Sequence, residues 1–130
     1  MKIEHVAYMV AEPAAMARWY VEHLGLTIKR GSDAPPYGHF LADAGGAVLV
    51  EFYGGPAEQV PDYTTIDPTV LHLAMVSDDM HRDYLRLLVA GASEVTPPRE
   101  LPNGDQAAML RDPWGLAVQL VKRAQPMLGC

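Results

Sequence analysis

Apolar and polar residues alternate along the chain in an order that occurs twice. Residues 2–10, KIEHVAYMV, alternate as a half-buried strand does. The next segment sets Met16, Trp19, Tyr20 and Leu24 at helical spacing behind Pro13, until Gly25 stops it. Strand-like runs follow near 26–31, 37–43 and 47–53, parted by the turn formers GSDAPP and DAGG. Residues 54–69, rich in Pro, Gly and Asp, read as a linker. A strand at 70–76 then leads to Ser77–Asp79, which can cap a helix striped by Met80, Tyr84, Leu87 and Leu88 and closed by Gly91. Strands near 94–100, 105–111 and 116–122 complete the pattern, with NGD at 103–105 and DPWG at 112–115 as turns. Each half is predicted to run βαβββ, with Trp19, Tyr20 and Tyr84 in the core.

The repeat holds a fixed offset. His5 and His72 are 67 positions apart, Gly25 and Gly91 are 66 apart, and Glu51 and Gln119 are 68 apart. Such self-similarity marks a duplicated module. At 130 residues the chain suits one domain better than two. The predicted division is module one over 1–53, linker 54–69, module two over 70–123 and a short tail over 124–130.

Composition narrows the chemistry. Apolar residues make up 49% and charged residues 20%, with no uninterrupted apolar stretch long enough to span a bilayer, so a soluble globular protein without membrane contact is expected. The opening MKIEHVAYMV has no apolar core followed by a small-residue cleavage site, which makes the cytoplasm the expected location. The single cysteine, Cys130, excludes an internal disulfide framework and a cysteine zinc site, so any metal must use His and Glu. A formal net charge of −6 and the lack of a basic stripe argue against nucleic acid.

Strand parity places the candidate ligands, because alternate side chains face opposite sides of a sheet. Val48, Val50 and Phe52 share one face and Leu49, Glu51 and Tyr53 the other. Leu116, Val118 and Leu120 likewise oppose Ala117, Gln119 and Val121. With the bulky faces under the helices, Glu51 and Gln119 fall on the opposite face. His5 and His72 are expected to join them, each with an alanine two positions on that leaves space beside the imidazole. A lone strand histidine is more often structural than a ligand, but two at a matched offset beside a glutamate reverse that balance. Tyr53, on the Glu51 face, and His39, in YGHFLADA, are the candidate substrate contacts.

HVAYMV with WYVEHLGL, VLVEFY, HLAMVSDD and RDPWGLAVQLVKR, in this order, resemble the vicinal oxygen chelate superfamily over about residues 2–122. That superfamily includes glyoxalase I, bleomycin-resistance proteins and extradiol dioxygenases. The resemblance implies an α+β fold of two βαβββ modules forming a cup-shaped mixed sheet with helices on its convex face, commonly in a homodimer. It also implies one divalent metal ion per site (Zn, Ni, Co, Mn or Fe(II)), held by His5, Glu51, His72 and Gln119, within one chain or across two. Members that isomerise hemithioacetals or cleave catechols usually carry a carboxylate where Gln119 stands. A glutamine ligates through its carbonyl oxygen but cannot act as a base, which leaves Glu51 as the catalytic candidate. The leading expectation is a metal-dependent isomerase, epimerase or lyase acting on a small oxygenated substrate that chelates the ion. The alternatives are a metal-free protein that binds or sequesters a small molecule, and an Fe(II) extradiol-type dioxygenase.

Overall fold

The computed structural model describes residues 1–129, and Cys130 lies outside the described residues. The chain divides into two compact units, one over Met1–Pro61 and one from Asp62 onward, so the boundary falls inside the predicted linker.

The first unit runs β1 (His5–Met9), α1 (Pro13–Leu24), β2 (Thr27–Gly31), β3 (His39–Ala42) and β4 (Leu49–Tyr53). Its sheet has the order β1-β4-β3-β2, with β1 and β4 parallel and the other pairs antiparallel. Pro13 opens α1 where a missing N–H costs nothing, and Gly25, at φ 71°, closes it by donating its N–H to the Tyr20 carbonyl. The helix buries Met16, Ala17, Trp19 and Tyr20. Tyr20 meets Phe52 of β4 with ring centroids 4.8 Å apart, so the Phe52 face of the sheet lies under the helix, as parity predicts.

The second unit repeats the order with β5 (Leu73–Val76), α2 (Met80–Val89), β6 (Ser93–Glu100), β7 (Gln106–Arg111) and β8 (Ala117–Lys122), in a sheet ordered β5-β8-β7-β6. Here β5 and β8 are the parallel pair. The Asp79 carboxylate caps α2 by accepting from the Arg82 N–H, and Met80, Tyr84 and Leu87 bury its apolar stripe. Leu116, Val118 and Leu120 are almost completely buried. The two βαβββ units are those the sequence predicts.

Each strand begins one to three residues away from its expected start. The strand expected over 70–76 begins at Leu73, because the N–H groups of Val70 and Leu71 both donate to the Asp67 carbonyl and hold residues 67–71 in a turn. His72 therefore stands just before β5. The first strand begins at His5 rather than residue 2. The linker is not featureless: it holds short 3-10 turns at Ala57–Gln59 and Tyr63–Thr65.

Candidate functional site

Each unit places an oxygen donor opposite an alanine on its parallel strand pair, with a histidine two residues before that alanine, in β1 for His5 and just ahead of β5 for His72. In the first unit Ala7 pairs with Glu51, and in the second Ala74 pairs with Gln119. Paired residues share a face, so His5, two before Ala7, points to the side of Glu51.

In the first unit His5 Nε2 lies 3.4 Å from Glu51 Oε2. The other ring nitrogen, Nδ1, bonds to the Glu4 carboxylate. That hydrogen bond raises the His5 pKa, with desolvation opposing it and the charges of Glu4 and Glu51 adding to it. The Phe40 ring stands edge-on to the imidazole, centroids 5.4 Å apart, and limits its rotation. Gly38 packs beside Glu51, where a Cβ would make an ordinary contact of 3.5 Å with Oε1.

In the second unit His72 Nδ1 donates to the Pro68 carbonyl at 2.6 Å. A carbonyl oxygen can only accept, so Nδ1 carries the proton and the neutral ring keeps its Nε2 lone pair. His72 and Gln119 line a cavity of about 270 Å³ with Asp67, Thr69, Arg99 and Met109. The Asp67 carboxyl lies below its ordinary range, chiefly because the Thr69 backbone N–H and hydroxyl donate to it.

The donor pair of the first unit is spaced to suit a divalent ion. Two donors bound to one ion at about 2.1 Å are about 3.0 Å apart at a right angle and about 3.4 Å apart at the tetrahedral angle. The His5–Glu51 separation falls in that range. A carboxylate or carbonyl behind the distal ring nitrogen is also the usual support of a metal-bound histidine, and both histidines have one. Among the described residues, no group of three or more His, Cys, Asp or Glu side chains is arranged to hold a metal ion.

The remaining sequence candidates divide by face. Tyr53 follows Glu51 by two positions on β4 and shares its face. His39 pairs with Phe52, while Phe40 pairs with Glu51, so His39 occupies the face opposite Glu51; it is buried and donates Nδ1–H to the Tyr37 carbonyl at 2.7 Å. Sequence reasoning did not single out Asp67, Thr69 or Arg99. The signal for Arg99 was the pair Pro97–Pro98 inside a predicted strand, since proline within a sheet marks an edge or a bulge.

The Glyoxalase/Bleomycin resistance protein/Dioxygenase superfamily model matches residues 2–120, and the chain belongs to that superfamily. No curated protein matches it in sequence. Among solved structures, TnmS3, an antibiotic binding protein from Streptomyces sp. CB03234, is 20% identical over 92% of this chain and 93% of its own, with a TM-score of 0.71. A family enzyme from Burkholderia phytofirmans PsJN is 18% identical over 93% and 98%, with a TM-score of 0.74. A glyoxalase I mutant from Zea mays is 23% identical over 95% of this chain but 46% of its own, also at 0.74; this chain spans about half its length. These likenesses establish the glyoxalase-like fold.

Proposed function

We propose that the chain is a single-domain metal-dependent enzyme of the isomerase, epimerase or lyase kind, with His5, Glu51, His72 and Gln119 holding one divalent ion. The observation that carries this reading is the repeated register: the same opposed alanine and oxygen donor on the parallel pair of each unit, with a histidine two residues before the alanine.

Bound there, a divalent ion would supply Lewis-acid stabilisation of charge developing on a substrate oxygen. The chain's own residues do the rest. His72, its tautomer fixed by the Pro68 carbonyl, and His5, held by Glu4 and Phe40, present Nε2 in one orientation. Gln119 offers a neutral carbonyl oxygen and cannot take a proton. Glu51 is the one titratable oxygen donor of the four, and so the one that can receive a proton from a substrate carbon or hydroxyl.

Metal content after exchange with Zn, Ni, Co, Mn or Fe(II), measured by plasma mass spectrometry, is expected at about one ion per quartet, falling at least tenfold in His5→Ala and His72→Ala. Unchanged content in both variants overturns the ligand set.

A second reading, a metal-free protein that sequesters a small molecule, is favoured by the apolar part of the second-unit cavity, where Val95, Ala107, Ala108 and Met109 meet. The likeness to an antibiotic binding protein supports it. Ligand affinity that survives complete chelation of metal selects this reading over the first.

A further inference from the structure

Arg99 is a cation aimed into the second-unit cavity by a deliberate irregularity of β6. In the register of β6 with β7, Thr96 pairs with Met109 and Arg99 with Ala107, so three steps on β6 match two on β7. Without the extra residue, Arg99 would fall on the opposite face from Thr96. The bulge at Pro97–Pro98, where neither residue has an N–H to offer the ladder, turns it back onto the same face.

The rows across the sheet then fix its neighbours. One row runs Thr96, Met109, Gln119, Ala74, and the next runs Arg99, Ala107, Val121, Val76. Arg99 therefore shares a face with Gln119, two strands across and two residues along, which is about 12 Å between backbones. Its row neighbour is the small Ala107, so nothing bulky covers the guanidinium on that side. Among the described residues its side chain has no hydrogen-bond or ion-pair partner, in contrast to Arg30 of the first unit, which lies over the Phe40 ring at 6.0 Å. In a protein of net charge −6, an exposed guanidinium that lines a cavity and has no partner is available to an anionic ligand.

We propose that Arg99 is the specificity-determining residue of the cavity, and that the ligand is a small monocarboxylate whose carboxylate binds the Arg99 fork while its oxygen-bearing end lies toward His72 and Gln119. The planar guanidinium matches a carboxylate in two parallel hydrogen bonds. Asp67, which also lines the cavity, adds a negative charge that disfavours a dianion such as a phosphate ester more than a monoanion, and the volume of about 270 Å³ limits the ligand to a small molecule. This rests on the reading that the ligand occupies the cavity beside His72 and Gln119.

The test is calorimetric titration of the purified protein with 3,4-dihydroxybenzoate and with 3,4-dihydroxybenzamide, which differ in charge at one end and share the vicinal oxygens at the other. The acid is expected to bind at least tenfold more tightly than the amide. Arg99→Gln should bring the two within twofold of each other by weakening the acid alone, and Arg30→Ala should leave the preference intact. A preference that survives Arg99→Gln, or that Arg30→Ala removes, overturns the role of Arg99 while leaving the cavity reading in place. Failure of both compounds to bind, or binding of both that His72→Ala leaves unchanged, overturns the cavity reading itself and this proposal with it.

Discussion

Glu51 and Gln119 occupy matching positions on parallel strand pairs yet differ by one charge, and that charge decides which can move a proton. On the proposed ligation of metal through Nε2 of both histidines, Glu51→Gln is expected to reduce turnover at least a hundredfold with metal still bound. Gln119→Glu should retain activity or raise it. Steady-state rates on a panel of α-hydroxy carbonyl, hemithioacetal and catechol compounds check this; parental turnover by metal-loaded Glu51→Gln would reduce Glu51 to a ligand at most. At this scale the sequence disclosed which faces His5, Glu51 and Gln119 occupy, because strand parity runs unbroken along β1, β4 and β8. It hid Arg99, because a bulge inverts parity and two prolines can equally be read as a turn. His39 illustrates the opposite difficulty: its parity was legible only once the pairing of β3 with β4 was known.

Helix limits were legible because their stops are local: Pro13, Gly25 and Asp79 each act on the backbone groups beside them. Strand limits were less so, since hydrogen bonds to partners distant in sequence set them, and the turn after Asp67 shortened β5 against its apolar pattern. Asp105 shows such a distant bond acting as a fastener. Its carboxylate accepts from the Ala124 backbone N–H at 2.9 Å, from Arg123 at 2.9 Å and from Asn103, and so anchors the end of β8 beside the turn before β7. The Ala124 N–H, then Arg123, hold its pKa below the ordinary carboxylate range against the effect of burial. A depressed carboxyl contributes stability that is complete above its unfolded pKa and is lost as pH falls through the lowered folded value. Denaturant midpoints for Asp105→Asn are therefore expected to lie below the parent at neutral pH and to converge on it in acid. A constant difference across that range would show that the charge is irrelevant to the anchor.

For the whole molecule, the duplication was the most legible feature, since matched offsets survive any error in individual boundaries. No helix is long and apolar enough to cross a membrane among the described residues. Each sheet ends on a strand paired on one side only, β1 in the first unit and β5 in the second, and Val6 and Val76 on these edges are 47% and 73% exposed. Open apolar edges invite pairing with another chain. Light scattering at micromolar concentration is expected to give the mass of a homodimer, and a monomer there would contradict it.

The segment between the units is fastened unequally. Arg111 donates to the carbonyls of Tyr63, Ile66 and Gly115, and Gly115, at φ 94°, leaves only 2.5 Å between the place of a Cβ and the Thr64 methyl. Residues 55–59 are exposed. Extra length is thus accommodated before Asp62 and resisted after it: a few added residues near Glu58 lengthen a surface loop, whereas one added beyond Tyr63 pulls carbonyls off a guanidinium and disturbs the turn that sets His72. In a lineage that gains or loses codons here, drift in chain length should collect on the near side of that boundary and leave the spacing from Tyr63 to His72 constant.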